Sequence, residues 1–157
     1  MKLLYICTHN RCRSILSEAI TQQRAAGLIE ARSAGSSPAG QVHPMTLHHL
    51  EQQGYATQGL RSKSWGDFAD WEPDVVITVC DRAAQEPCPL YFGRTHQLHW
   101  SLADPSAVAG SEQAQAEAFL STISIIEKRV EQLITIANAQ ESTWVSAFNT
   151  LIKTEIR

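Results

Sequence analysis

The sequence predicts an α/β fold, a three-layer domain with a central, mostly parallel four-stranded sheet flanked by helices. Two observations carry this. Short apolar runs, Leu3-Leu4-Tyr5-Ile6 and Val75-Val76-Ile77, alternate with segments of helical period. Late in the chain, Phe119, Ile123, Ile126, Val130, Leu133 and Ala137 step by three and four, as a helix packed on a sheet does.

The elements follow in order. Residues 2–6 read as the first strand. Residues 14–26 read as a helix stopped by Gly27. Residues 29–34 alternate enough for a second strand, closed by Gly35, and Ser36-Ser37-Pro38-Ala39-Gly40 is a loop. Residues 44–53 form a helix with Pro44 at its start and Gly54 past its end. Residues 65–71 are a short irregular or helical piece. Residues 74–79 are the clearest buried strand, and it runs straight into Cys80. Residues 97–100 make the fourth strand. A long helix covers 111–139, and 143–156 is amphipathic, with Trp144, Phe148, Leu151 and Ile152 on one side. The chain thus divides into a main domain, 1–140, and a C-terminal amphipathic extension, 141–157.

Composition excludes several functions. A chain of 157 residues suits a domain of ordinary size, and 43% hydrophobic content is enough for a core. A net charge of -3 gives no footprint for nucleic acid or for an anionic membrane. No apolar run approaches the ~18 residues of a membrane span. The N-terminus reads as a strand and not as a signal peptide, so a cytoplasmic protein is expected. In that compartment the four cysteines are expected to be catalytic, redox-active or metal-binding. Cys7, Cys12, Cys80 and Cys88 contain no C-x-x-C pair, and His48-His49, His96 and His99 do not complete a zinc set. No metal and no bound cofactor are expected.

The most informative stretch is Cys7-Thr8-His9-Asn10-Arg11-Cys12-Arg13-Ser14. A cysteine ends a strand, five residues intervene, and an arginine opens a helix. Such a loop can turn its backbone N–H groups inward around a tetrahedral oxyanion, and the helix N-terminus adds partial positive charge. Arg13 can grip two oxyanion oxygens through its planar fork. The same surroundings lower a thiol pKa from ~8.5 to roughly 3.5–7.5, so Cys7 is expected to be a thiolate nucleophile, with Ser14 donating to it. An inert buried cysteine is the plain alternative, and Arg13 and Ser14 at these offsets weigh against it.

Two further stretches lie where the same sheet edge is expected. Cys80 and Cys88 flank a helix-compatible segment, Asp81-Arg82-Ala83-Ala84-Gln85-Glu86-Pro87. In a helix they would stand roughly 12 Å apart, whereas a disulfide needs Cα atoms about 4.4–6.8 Å apart. Joining them therefore requires this segment to unwind, and Pro87 and Pro89 make its end easy to break. After the fourth strand, Asp104-Pro105 can offer a carboxylic acid to a leaving oxygen, although Asp-Pro is also ordinary turn chemistry.

Together these pieces resemble a family. Cys7-x5-Arg13-Ser14, Asn10 and Cys12 within that loop, Ser33-Ala34-Gly35, and Asp104-Pro105 are similar to the low-molecular-weight tyrosine phosphatases over residues 2–138. Val79-Cys80…Cys88-Pro89 and His99-Trp100…Asp104-Pro105 resemble the arsenate reductases of that fold, of the thioredoxin-coupled type. Phosphatases carry aromatic residues after the Asp-Pro, whereas Ser106-Ala107 stand here. The resemblance implies a relay. The oxyanion loop, residues Thr8, His9, Asn10, Arg11, Cys12 and Arg13, holds arsenate or phosphate. Cys7 attacks arsenic and Asp104 protonates the departing oxygen. Cys80 attacks Cys7, arsenite leaves, and Cys88 attacks Cys80, each by thiolate attack on sulfur. An external reductant, thioredoxin or else glutaredoxin with glutathione, then reduces Cys80–Cys88.

The chain departs from the family pattern in three places. His9 stands where the family has glycine, which predicts strain in the loop. The Cys80–Cys88 spacing is one residue longer than in the reductases. Asn10, Glu18 and Ser33 match a potassium site of some relatives, but Ser64 replaces the carboxylate expected there. Two other functions fit parts of the sequence: a phosphatase using Cys7, Arg13 and Asp104 without redox turnover, and a non-enzymatic sensor oxidised at Cys7 and Cys80.

Overall fold

A computed structural model describes residues 1–86, 92 and 95–155, with side chains described as far as Leu151 in the last helix. Four strands, β1 (Lys2–Cys7), β2 (Glu30–Gly35), β3 (Val75–Thr78) and β4 (His96–His99), form one sheet in the order β2-β1-β3-β4. Every pairing is parallel, so the sheet is parallel throughout among the described residues. The fourth strand lies one residue earlier than the sequence suggested, because His96 and not Gln97 takes the register position opposite Val75.

Parallel strands need crossovers, and α1 (Arg13–Arg24), α2 (Pro44–Gln52) and α3 (Asp81–Gln85) lie in the three connections, while α4 (Glu112–Asn138) and α5 (Trp144–Glu155) follow the last strand. β1 is buried on both faces, as a central parallel strand must be. On one face, Tyr5 shares a 2.8 Å hydrogen bond with Thr21 of α1. On the other, Ile6 lines a cavity with Trp65, Ala83 and Phe92.

The stripe on α4 is core as expected: Phe119, Ile123, Ile126, Val130 and Leu133 are all buried. Truncating one of these to alanine costs about 2–5 kcal/mol. Arg24 at the end of α1 pairs with Glu127 of α4, tying the two helices together. α5 packs on α4 and β4, and it places Phe148 and Leu151 in the same core. No helix among the described residues is long and apolar enough to cross a membrane.

The topology also sets the site. β1 and β3 are neighbours with Leu3 opposite Val75, so both strands end at the same edge of the sheet. Ligands in such sheets sit beyond the carboxyl ends of the strands.

Candidate active site

The 8–13 loop leaves β1 and enters α1, with Cys12 as the residue before the first helical turn. Its carbonyls are held from outside. Thr8 O accepts from Ser37 N–H at 2.9 Å, His9 O from Ala39 N–H at 2.9 Å, and Arg11 O from His43 N–H at 3.0 Å. Because the peptide is planar, these bonds turn the N–H groups of His9, Asn10 and Cys12 the opposite way, toward the inside of the loop. That is the inward cradle the sequence predicted, and the 36–46 segment builds it. Gly35 is required beside it: a Cβ there would meet Thr8 O at 2.6 Å and Cys7 O at 3.0 Å.

The predicted strain at His9 is absent. The left-handed residue is Asn10, at φ 46°, a conformation that asparagine tolerates. Asn10 is fully buried, and its side chain organises the loop: Nδ2 donates to Ser14 Oγ at 2.8 Å and to Ser33 Oγ at 3.0 Å, while Oδ1 accepts from Lys63 N–H at 2.9 Å. The Ser14 hydroxyl accepts from Asn10, and its own proton is left to donate. His9 is exposed and its Nδ1 lies 3.1 Å from Ser37 O.

The three potassium candidates do converge. Ser33 Oγ donates to Glu18 Oε2 at 3.1 Å and accepts from Asn10. A side-chain ammonium lies among them: Lys63 Nζ is 3.3 Å from Ser33 Oγ and 3.6 Å from Glu18 Oε1. Lys63 supplies the positive charge that a potassium ion was considered for. Burial raises the Glu18 pKa and lowers that of Lys63, and each charge opposes the shift of the other.

A cavity of about 260 Å³ opens inside the loop, lined by Cys7, His9, Arg11, Cys12, Arg13, Asp104, Ser106 and Ala107. The larger cleft, about 790 Å³, lies at the opposite end of the strands beside Met1, Lys2 and Glu30, away from every described thiol. Arg13 Nη1 donates to Leu102 O at 3.1 Å, and Nη2 stands 3.8 Å from Asp104 Oδ2. Asp104 Oδ1 accepts from Ser106 N–H at 3.0 Å and from Ser106 Oγ at 2.6 Å. The Asp-Pro is thus both a turn and the wall of the cavity, and Ser106 fixes its carboxylate.

Cys7, Cys12 and Cys80 are free and buried, and Cys88 lies outside the described residues. Cys80 precedes α3, whose helix ends at Gln85. Thr8 N–H reaches Cys80 Sγ at 3.4 Å, with Thr8 Oγ1 at 3.7 Å. The thiols at the β1 and β3 ends influence each other's ionisation in opposite directions. Cys80 is pulled down to about 5 by Cys7, then by the Ala83 and Thr8 N–H groups, against the opposing effect of its burial. Cys7 is pushed far up by Cys80 and by burial, against Arg13 and the Thr8 N–H. The direction at Cys7 is thus opposite to the lowering expected from the loop: Cys80 and burial outweigh Arg13, which faces Asp104 and Leu102. Cys12, also buried, is pushed up to about 11.

Comparison with known proteins comes to the same place. The family model described as low molecular weight phosphotyrosine protein phosphatase matches residues 2–143. A glutaredoxin arsenate reductase of Synechocystis is 29% identical over 133 residues, 85% of this chain and 95% of that protein. A solved structure described as an arsenate reductase in the phosphate binding state superposes with a TM-score of 0.71 at 29% identity, covering 85% of this chain and 96% of the other. A thioredoxin-dependent arsenate reductase of Corynebacterium glutamicum superposes with a TM-score of 0.67 at 29% identity, over 87% of this chain and 61% of that longer one.

Proposed function

Because the chain belongs to the low molecular weight phosphotyrosine protein phosphatase family, we propose that its inherited oxyanion site reduces arsenate to arsenite through a three-cysteine relay. One observation carries this reading: a second free thiol, Cys80, stands at the end of the neighbouring strand and is held by the N–H of Thr8, the residue next to the loop nucleophile Cys7. A phosphatase has no use for it, whereas a two-electron reduction needs two thiols.

Arsenate binds in the loop against the N–H groups and the Arg13 fork, in the place phosphate would take. Cys7 Sγ bonds to arsenic. One arsenate oxygen departs as water, receiving a proton from Asp104, and the proton Cys7 gives up balances it. The Cys80 thiolate attacks Cys7 Sγ. The S–As bond breaks with its electron pair on arsenic, so arsenic(V) becomes arsenic(III) and arsenite leaves a Cys7–Cys80 disulfide. Cys88 then attacks Cys80, Cys7 is freed, and the Cys80–Cys88 disulfide is left for an external dithiol. Ser14 and Asn10 hold the loop in shape throughout.

The reductant is a dithiol of the thioredoxin class, which places the protein in a reducing compartment, the cytoplasm. The relatives divide here, one being named for glutaredoxin and another as thioredoxin-dependent. Arsenite production with thioredoxin, thioredoxin reductase and NADPH, repeated with glutaredoxin and glutathione, tests both function and reductant. Steady arsenite formation in the first mixture is expected. No arsenite in either, alongside brisk hydrolysis of an aryl phosphate, contradicts the reading and favours the phosphatase.

A further inference from the structure

Glu86 takes no part in the chemistry above, yet it touches the oxyanion loop. It follows α3 with extended backbone, φ -79° and ψ 142°, and its N–H donates to Ala83 O at 3.2 Å. Its carboxylate Oε1 accepts the Thr8 hydroxyl proton at 3.0 Å. Thr8 is the first residue of the loop, is buried, and also donates its N–H to Cys80 Sγ. One threonine therefore fastens both ends of the 80–86 segment to the loop, Cys80 at one end and Glu86 at the other.

That fastening places a carboxylate beside a loop built to receive an anion. In the empty site the charge-assisted bond from Thr8 holds the segment down. A dianionic oxyanion in the cradle adds two negative charges to the loop that Thr8 opens, and between charges in a partly buried site such repulsion is of the order of the net worth of one hydrogen bond.

We propose that Glu86 is a positioning residue: through Thr8 it clamps the Cys80 segment onto the empty loop, and a bound tetrahedral dianion repels its carboxylate and releases the segment. The purpose of the release rests on the relay reading, since Cys80 must move to meet Cys7 and then Cys88. The clamp itself is a property of the protein without turnover, and it can be read without arsenate.

The test is the rate at which iodoacetamide labels Cys80, with and without saturating inorganic phosphate. Tryptic cleavage separates the thiols: Cys7 falls on peptide 3–11, Cys80 on 64–82 and Cys88 on 83–94. In the wild-type protein, phosphate should speed Cys80 labelling roughly tenfold, the worth of one charge-assisted hydrogen bond. Glu86→Gln keeps an acceptor for Thr8 but loses the charge, so Cys80 should stay slow with or without phosphate. Glu86→Ala removes the clamp, so labelling should be fast at once, with no further rise. Unchanged or slower Cys80 labelling on adding phosphate to wild type overturns the proposal. So does a Gln variant that responds as wild type does. Arsenite production is scored separately, so a failed relay and a failed clamp give different results.

Discussion

Thr8 N–H lies 3.4 Å from Cys80 Sγ, so the residue that follows the loop nucleophile on β1 holds the thiol that follows β3. The two strands are paired in parallel and end together, which puts the sulfurs in one crevice with no help from the loops. Cys7 and Cys80 consequently shift each other's ionisation, Cys7 upward and Cys80 downward.

The free enzyme should therefore show a thiolate that titrates near pH 5 and belongs to Cys80. Its pKa is lowered, so the thiolate is present above that pH and is lost as the pH falls through it. Ultraviolet thiolate absorbance followed against pH should show this step in wild type and lose it in Cys80→Ser. In Cys7→Ser the step should move up, because Cys7 is the largest of the influences that lower it. A step near pH 5 that survives in Cys80→Ser assigns the thiolate elsewhere.

Much of this site is legible in the sequence because it is local. The Cys7-to-Ser14 stretch is contiguous, the flanking strand and helix follow from period, and Asp104-Pro105 marks itself. What the sequence does not show is set by contacts across the chain. Lys63 meets Glu18 and Ser33 only because the loop before Trp65 folds over α1 and β2, as Lys63 O accepting from Gly35 N–H records. The strain expected at His9 falls on Asn10, since the loop's turn is fixed by buried hydrogen bonds and not by the exposed residue. The Cys7 thiol shifts up and not down for the same reason: Cys80 of the neighbouring strand and burial outweigh Arg13, which sequence offsets cannot reveal. The helix after Cys80 ends at Gln85, so the separation expected of one continuous helix does not extend through Glu86.

Lys63→Met should destabilise the fold by about 3–5 kcal/mol, because it strands the Glu18 carboxylate in the interior. The double variant Glu18→Gln, Lys63→Met should recover most of that loss, since a buried pair replaced as a unit is often neutral. Urea unfolding of the three proteins measures both. Additive losses in the double variant contradict the pairing.

Arg13→Lys should lose oxyanion affinity although the charge is kept. An ammonium cannot make the two parallel bonds of the guanidinium, and one lost charge-assisted bond is worth about 1.5–3 kcal/mol, at least tenfold in affinity. Calorimetric titration with inorganic phosphate reports it. Wild-type phosphate affinity in the variant removes Arg13 from the proposed role.

The relay itself is tested most directly by single-turnover arsenite release from Cys88→Ser. Cys7 and Cys80 together supply two electrons, so one arsenite per enzyme should appear in a burst. The protein should then stall as the Cys7–Cys80 disulfide, seen by mass as peptides 3–11 and 64–82 joined. Cys80→Ser should give no comparable burst, and both variants should still hydrolyse a small aryl phosphate, which needs Cys7, Arg13 and Asp104 alone. Continuous turnover of Cys88→Ser with thioredoxin at the wild-type rate would contradict the three-cysteine relay and put an external thiol in the place of Cys88.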